Sequence, residues 1–261
     1  MLKATLFNKI FTFPILTLLI AVYSLFLALK IPGAFGFAII ILTVLIRLIL
    51  QPFFHQQMTT AKKMQELKPH LDKLNEKHKG DKARLQQEQL KLYQQAGINP
   101  ASGCLFLIIQ IPIFIALYRA LYSPFVAGGL ANAVKEINNV LLWPALKVST
   151  IDFWFFGFSL AVSPQNSGVW YYYSIPLLTA FLQYYQVKVS TPQIAKQEPQ
   201  AEKKEKDSQA DFQKVMSTQM KFIFPILIGW FSFTLPVGLS LYWNIFSVFS
   251  IIQYRNLTKN G

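Results

Sequence analysis

Long apolar blocks alternate with polar, charged segments along this 261-residue chain. Each block but the last is close to the roughly 20 residues that a helix needs to cross the hydrocarbon core of a bilayer. The pattern predicts an all-α integral membrane protein with an N-terminal apolar helix and five core spans. The predicted segments are an apolar helix in residues 1–34 and spans in residues 35–55, 103–123, 169–188 and, as two helices, 221–257.

The first apolar block, Phe11 to Leu29, admits two placements. It is long enough to span the membrane, and Lys3 and Lys9 then favour a cytoplasmic N-terminus. It can equally lie in the membrane interface as an apolar helix. Residues 11–30 therefore stay open between a spanning helix and a surface helix.

The polar segment of residues 56–102 predicts a cytoplasmic helical hairpin. Its apolar positions recur at three- and four-residue spacing, and Lys79-Gly80-Asp81 supplies a turn between two such runs. An antiparallel coiled coil is the simplest arrangement. The residues that mark this hairpin are Met64, Leu67, Pro69, Leu71, Leu74, Gly80, Leu85 and Leu92.

The last apolar block is too long for one span. Pro236 removes a backbone donor and Gly238 permits a turn, so these two residues predict a hinge between the last two helices. The first of these helices, from Phe222 to Leu235, covers only about 21 Å of a core of roughly 30 Å. A helix this short predicts local thinning of the bilayer.

Composition and charge support a membrane protein and orient it. Charged residues make up 14% of the chain, against about 25% in soluble domains. The net charge is +13, and the Lys and Arg residues are crowded into residues 53–102 and 188–221. By the positive-inside rule these segments face the cytoplasm, including a linker at residues 189–220, together with the tail at residues 258–261. Residues 124–168 face outward. The distribution suits anionic lipid and excludes sequence-specific DNA binding.

Aromatic residues mark the outward side. The cluster from Phe153 to Phe158 and the run from Trp170 to Tyr173 suit the membrane–water interface, where aromatic side chains concentrate. The second of these runs opens the third core span and forms an aromatic belt at its outer end.

Arg47 is the one charged residue of its predicted helix, and no acidic residue lies in any span. A charge at the bilayer centre costs about 2.5 to 3.5 kcal/mol on insertion scales, so the guanidinium needs water or carbonyl groups around it. We expect a hydrated cavity open to the cytoplasm, with snorkelling of the side chain as the alternative. Other polar residues in the spans either line this cavity or form interhelical hydrogen bonds. They are Gln110, Gln183, Gln186, Tyr242, Trp243 and Asn244.

No catalytic, metal or cofactor site is predicted. The spans contain no paired acids, their one histidine is His55 at the very end of the first core span, and the chain has no glycine-rich phosphate loop. His55, His70 and His78 are expected at solvated helix positions in or beside the hairpin, and the single Cys104 excludes an internal disulfide. The chain is therefore predicted not to be an enzyme.

Four motifs, in this order, together resemble the YidC/Oxa/Alb family of membrane protein insertases. The first core span of that family, with its single arginine, is similar to Phe37–Pro52, and its first coiled-coil helix is similar to Lys63–Pro69. Its second-span signature resembles Asn99–Phe114, and the entry to its final span resembles Pro236–Asn244.

The resemblance implies a five-helix core around a hydrophilic groove that opens to the cytoplasm and to lipid, with residues 11–30 as an interfacial helix on the outer face. It implies a hairpin that recruits nascent membrane proteins, in the bacterial plasma membrane, with a cytoplasmic C-terminus. The Sec translocon, the ribosome and components of the signal recognition particle are further candidate partners. Because Ile31 to Gly36 leaves no room for a large periplasmic domain, the short form of the family is expected.

In the predicted mechanism Arg47 attracts acidic residues of an incoming tail, and the other polar groups replace the water that the tail loses. Burial of the client's apolar segment then drives insertion. A small transporter or channel that uses Arg47 as an anion site is the alternative, although no internal repeat or intramembrane acid supports it. A scaffold acting only through its hairpin would leave Arg47 unexplained.

Overall fold

The computed structural model describes residues 4–78, 80–97, 111–119, 130–190 and 222–259. Within these ranges nearly all regular structure is helical, and the exception is one two-stranded β-hairpin in the segment predicted to face outward. Apart from that hairpin, the chain is an all-α membrane protein.

The N-terminal helix begins with a π-helical turn, Asn8–Thr12, and continues as α1, Phe13–Ala28. A tight reversal follows, in which Gly33 has a left-handed φ of 74°. Glycine suits this position because it lacks the Cβ that strains other residues there. The reversal leads into α2, Ala34–Ile49, which packs along α1.

A bend of 62° separates α2 from α3, Gln51–Glu66. The sequence predicted one helix through the whole first core span, and the structure corrects this, because α2 ends at Ile49. In a continuous helix Pro52 could not donate to the carbonyl of Leu48, and its ring would collide with that carbonyl. Arg47 consequently lies in the last turn of α2.

The predicted hairpin segment contains α3 and two further helices, α4 (Lys68–Lys77) and α5 (Lys82–Gln95). The first arm is split at Leu67, because Pro69 lies in the first turn of a new helix, where a missing N–H is tolerated. Gly80, with a φ of 97°, lies in the turn before α5, at the predicted turn position.

Residues 111–119 are helical and form α6. The outward segment then contains elements that the sequence pattern did not reveal. One is α7 (Leu130–Val140), an amphipathic helix whose Ile137 is buried. The other is an antiparallel hairpin of β1 (Trp154–Phe155) and β2 (Phe158–Ser159).

The remaining helices are α8 (Ser174–Ser190), α9 (Phe222–Thr234) and α10 (Val237–Lys259). α10 packs against both α8 and α2. Leu235 and Pro236 separate α9 from α10, inside the predicted hinge. Gly229 brings α9 close to α8, because a Cβ there would lie 3.0 Å from the Cβ of Ala180.

Two described helices are long and apolar enough to cross a membrane, Asn8–Ala28 and Val237–Asn256, and the bent pair α2–α3 would make a third. α8 and α9 are shorter, yet they expose large apolar side chains such as Phe181 and Ile226. Exposed apolar helix faces of this kind suit contact with lipid. The five core spans remain a prediction, and much of the predicted second span lies outside the described residues.

Candidate functional site around Arg47

Arg47 lies on the face of α2 that meets α10 and is buried, with 4% of its surface exposed. Its Nη2 donates a hydrogen bond of 3.1 Å to the carbonyl oxygen of Phe246 and another to Oγ of Ser250. Ser250 Oγ in turn donates to the Phe246 carbonyl at 2.8 Å. The middle of α10 therefore holds one end of the guanidinium.

Two aromatic rings enclose the same guanidinium. Its Cζ lies 3.7 Å from the centroid of the Phe246 ring and 4.2 Å from that of Phe54. Cation–π contacts of a desolvated arginine contribute about 2 kcal/mol. Phe54 belongs to the first turn of α3, so the bend after α2 brings its ring to Arg47.

No carboxylate neutralises Arg47 among the described residues. All acidic residues of the chain lie outside the predicted spans, and Nε of Arg47 has no hydrogen-bond partner in the described parts of the chain. A buried charge without a partner is costly. The sequence analysis predicted water or carbonyl groups around the guanidinium. In the structure its contacts include one carbonyl, one hydroxyl and two aromatic rings, and the Nε–H has no partner among the described residues.

Polar side chains also line α8 and α10 where these helices meet. Residues spaced four and three positions apart share one face of a helix. Each helix has such a triplet, and we call the two triplets the polar seam. The polar seam consists of Thr179, Gln183 and Gln186 on α8 and Ser240, Asn244 and Ser247 on α10.

Hydroxyl groups close the end of the polar seam that is predicted to face outward, which we call its outer end. Ser232 of α9 donates to Thr179 Oγ1 at 3.1 Å and shares a hydrogen bond of 2.7 Å with Ser240 Oγ. Thr179 Oγ1 donates to the carbonyl of Ile175 at 2.9 Å. All three hydroxyl residues are fully buried. The chain of hydrogen bonds joins α8, α9 and α10 and sets the two triplets opposite each other.

The half of the polar seam that is predicted to face the cytoplasm has buried polar atoms without partners among the described residues. Oε1 of Gln186, Oδ1 of Asn244 and Oγ of Ser247 make no hydrogen bond within the described ranges. Oε1 of Gln253, further along α10, is in the same situation. An unsatisfied buried polar group costs roughly 1–3 kcal/mol. Packing alone does not call for such groups, so this half of the polar seam is suited to bind a polar molecule.

The other predicted groove residues have different surroundings. Tyr242 and Trp243 are buried in α10, and Trp243 stacks on Phe114 of α6 with ring centroids 5.5 Å apart. Gln183 is buried at the centre of the α8 triplet. Gln110 lies outside the described residues.

Sequence reasoning missed the hydroxyl residues of the site. Small hydroxyl residues occur in any apolar block, so composition did not single them out. The signal that could have found them is their helical spacing from the amides already named. The missed residues are Thr179, Ser232, Ser240, Ser247 and Ser250.

A basic residue of α6 was missed as well. Nη1 of Arg119 donates to Oδ1 of Asn8 at 2.6 Å, and Thr12 Oγ1 donates to the same oxygen at 2.9 Å. The Arg119 guanidinium also lies 5.3 Å from the ring centroid of Phe7. These contacts connect α6 to the N-terminal helix.

The predicted hairpin residues occupy α3 to α5 and the turn before α5. Nε2 of Gln89 donates to Oδ1 of Asn75 at 3.1 Å across α4 and α5. Asp81 caps α5 by accepting from the backbone N–H of Arg84 at 3.0 Å. Pro69 and Gly80 are exposed. The half-buried positions are Met64, Leu67, Leu71, Leu74, Leu85 and Leu92.

Comparison with known proteins identifies the family. The family described as 60Kd inner membrane protein matches residues 26–260. A relative from Oceanobacillus iheyensis, named membrane protein insertase YidC, is 31% identical over 260 residues, which cover 97% of this chain and 84% of that protein. The chain belongs to the YidC/Oxa/Alb family.

Other YidC/Oxa/Alb relatives are considerably longer. The inner membrane ALBINO3-like protein 1, chloroplastic, of Chlamydomonas reinhardtii is 31% identical over 250 residues, 89% of this chain and 46% of that protein. The membrane protein insertase YidC of Helicobacter pylori is 33% identical over 227 residues, 87% of this chain and 33% of that protein. The chain spans less than half the length of these two relatives.

Proposed function

We propose that this protein is a membrane protein insertase and chaperone, which inserts integral membrane proteins and helps them fold. Two relatives are named membrane protein insertase YidC, and the family match over residues 26–260 supports a shared function. In this proposal the protein works in a bacterial plasma membrane as a multi-pass protein with a cytoplasmic C-terminus. Its clients are nascent membrane proteins, and it is neither an enzyme nor dependent on a cofactor.

The observation that carries the proposal is the uncompensated polarity around Arg47 and in the polar seam. We infer that five core spans form a hydrophilic groove open to the cytoplasm and to lipid. A client tail would supply the hydrogen bonds that Arg47 Nε, Gln186 and Asn244 lack within the described ranges. The proposed groove residues are Arg47, Gln110, Gln183, Gln186, Tyr242, Trp243 and Asn244.

Arg47 gives the groove a preference for negative charge. Two unit charges 4 Å apart interact by about 4 kcal/mol at the effective dielectric constant of about 20 that suits partly buried sites. The rings of Phe54 and Phe246 lie over the guanidinium, so its Nε edge is left for an approaching carboxylate. Acidic tails should therefore be transferred in preference to uncharged ones.

Burial of the client's apolar segment supplies the driving force, at roughly 25 cal/mol per Å² removed from water. The short α9, Phe222–Thr234, covers only about 20 Å of a core of about 30 Å. This mismatch supports local thinning of the bilayer, which would shorten the path of the hydrophilic tail. No nucleotide is required in this mechanism.

Residues 11–30 are proposed to lie on the outer surface and to close that side of the groove. Thr17 Oγ1 accepts from the N–H of Leu142 at 3.0 Å, and Tyr23 OH accepts from the N–H of Asp152 at 3.2 Å. Both donors belong to the outward segment. Contacts with that segment are thus spread along α1, whereas a spanning helix would meet it at one end only.

The hairpin of α4 and α5 is proposed to recruit clients as a short antiparallel coiled coil. The side-chain hydrogen bond between Asn75 and Gln89 supports this pairing, because it joins the two helices outside the membrane. The Sec translocon, the ribosome and components of the signal recognition particle are proposed as partners on the same side.

Reconstitution tests the proposal directly. The purified protein is placed in liposomes with a single-spanning client whose short tail is either acidic or uncharged, and protease protection of the translocated tail is measured. Arg47→Ala should lower protection of the acidic tail by about tenfold, equivalent to about 1.4 kcal/mol, and change the uncharged tail little. Arg47→Lys should retain activity, because it retains the charge.

Lys188→Ala is the matched control, because it removes an exposed basic residue at the cytoplasmic end of α8 and should leave protection unchanged. Protection no higher than in protein-free liposomes would contradict an insertase. Solute flux without protection would favour the transporter. Equal protection of both tails by Arg47→Ala and wild type would contradict charge attraction.

A further inference from the structure

The outward β-hairpin carries a residue that its turn does not favour. Phe156 and Gly157 form the two-residue turn between β1 and β2, with φ values of 44° and 91°. Turns with two left-handed residues prefer Asn or Asp before Gly, since a large side chain is strained in that conformation. A phenylalanine at this position points to a contact made by its ring.

The inner side of the hairpin is seated on the outer end of α2. The ring of Phe155 occupies a notch at Gly33 and Gly36, where a Cβ on Gly36 would overlap the ring. Phe155 also packs edge to face against Phe37, with ring centroids 5.4 Å apart. Phe155 thus fixes the hairpin to α2 and leaves the tip beside the helix.

The tip of the hairpin and its surroundings are apolar and exposed. Phe156 is 73% exposed and Trp154 55%, and Trp170, at the start of the third predicted span, is 82% exposed. No charged residue occurs from Phe153 to Val187. The hairpin itself therefore carries no charge by which a protein partner would recognise it, and Asp152, directly before β1, accepts from the N–H of Trp154 at 2.9 Å.

The hairpin tip continues an apolar stripe of α2. Phe37, Ile41 and Leu48 share one face of that helix, and Ile41 and Leu48 are exposed. In a spanning helix such a face meets lipid. The ring of Phe156 lies 6.1 Å from that of Phe37, at the outer end of the stripe. The tip therefore extends the lipid-facing surface of α2 outward.

We propose that the hairpin tip is a lipid anchor, in which Phe156 enters the leaflet beside the outer end of α2. Trp154 and Trp170 lie at the headgroup level, which suits their amphipathic rings. The occupant of this surface is lipid and not a protein. The anchor fixes the height of α2 in the bilayer and, with it, the depth of Arg47. This inference does not depend on the proposed insertase function.

Spin labelling in liposomes tests the anchor. Phe156→Cys is made in a Cys104→Ser background, since Cys104 is the single cysteine. The nitroxide at this site is probed by collision with oxygen, which concentrates in lipid, and with a water-soluble nickel chelate. Ile41→Cys provides the lipid-facing reference, and Gln165→Cys, on an exposed polar turn of the outward segment, provides the reference in water.

The ratio of oxygen to chelate collisions at position 156 should match that at Ile41→Cys and exceed that at Gln165→Cys several-fold. A ratio equal to that of Gln165→Cys would overturn the proposal. Low access of both reagents, as at a buried protein contact, would overturn it as well. Trp154→Cys gives a second site on the same hairpin, so the result does not depend on folding of a single turn variant; its ratio should fall between the two references.

Discussion

The two ends of the contact between α8 and α10 contain similar polar residues that differ in their hydrogen bonding. At the outer end the hydroxyls of Thr179 and Ser240 are fully buried and joined through Ser232 by hydrogen bonds. Seven residues further along each helix, Gln186 and Ser247 have buried oxygens without hydrogen-bond partners among the described residues. The same pair of helices is therefore fastened at one end and left open to a polar ligand at the other.

This difference shows that polar residues inside a membrane protein serve either helix packing or ligand binding. Whether their polar atoms have hydrogen-bond partners within the protein distinguishes the two roles. A satisfied hydroxyl group between helices stabilises their packing, by about 0.6 kcal/mol on average. A buried polar group without a hydrogen-bond partner lowers the stability of the fold and is characteristic of functional sites. The two ends should consequently respond in opposite directions to the removal of their polar atoms.

The largest effect is expected from making the open end apolar. Gln186→Met and Asn244→Leu keep the branching pattern of the side chain while deleting buried atoms that have no partner among the described residues, so each should raise the free energy of unfolding by roughly 1–3 kcal/mol. The combined variant should also lose client insertion several-fold. Thermal unfolding in detergent and the protease-protection assay measure the two effects. A less stable variant, or one that inserts normally, would show that these residues serve packing.

The seat of the β-hairpin should be the next most sensitive position. Gly36→Ala places a methyl group against the Phe155 ring, and overpacking of this kind costs typically about 1–3 kcal/mol. Thermal unfolding measures the loss. The double variant with Phe155→Ala should show little additional cost from the Gly36 change, because the clash is gone. If Gly36→Ala lowers the free energy of unfolding equally with and without the Phe155 ring, the ring does not occupy a notch at Gly36.

Removal of one outer hydroxyl should have a smaller effect. Ser232→Ala deletes the group between Thr179 and Ser240 and should lower the free energy of unfolding by about 0.6 kcal/mol, and by about 1.7 kcal/mol at most. Insertion should be unchanged. Ser149→Ala, at an exposed serine of the segment after α7, is the control and should change neither quantity. Reduced insertion by Ser232→Ala would mean that the outer end also takes part in function.

The smallest effect is expected in the hairpin of α4 and α5, which is predicted to lie outside the membrane. Water there can hydrogen-bond to polar groups, so each protein–protein contact contributes little. A hydrogen bond of 2.9 Å from Lys91 lowers the pKa of Glu88 below its ordinary value of 4.5. A lowered carboxyl pKa contributes stability above the ordinary pKa and loses it as the pH falls through the lowered one. The protection factors of the α5 amides, which are exchange rates corrected for their intrinsic pH dependence, should therefore fall slightly on acidification below the ordinary pKa. Glu88→Gln should abolish that part of the pH dependence.

Turns and breaks could be predicted from the sequence because proline and glycine act through their own backbone. Pro236 and Gly80 marked the break before α10 and the turn before α5. Arg47 could be found as well, since a single charge in an apolar block demands an explanation. The bend after α2 could have been inferred by the same reasoning from Pro52, which the sequence analysis treated only as part of a motif.

The partners of these residues could not be predicted, because they are brought together by folding over long chain separations. Ser232 and Thr179 are 53 residues apart and Arg119 and Asn8 are 111 apart, so no local pattern connects them. The β-hairpin was missed for a related reason. Its strands are only two residues long, and it is held by the seating of Phe155 on α2 more than by strand propensity.

The bend at Leu50 also places Arg47 close to the point about which α3 would rotate relative to α2. Phe54 is in the first turn of α3, so rotation of the whole arm shifts the aromatic ring that covers the guanidinium. With 16 residues the arm is about 24 Å long, and a displacement of about 4 Å at its far end corresponds to a rotation of about 10°. A rotation of α3 about this bend would therefore move the Phe54 ring against the guanidinium by much less than it moves the far end of the helix.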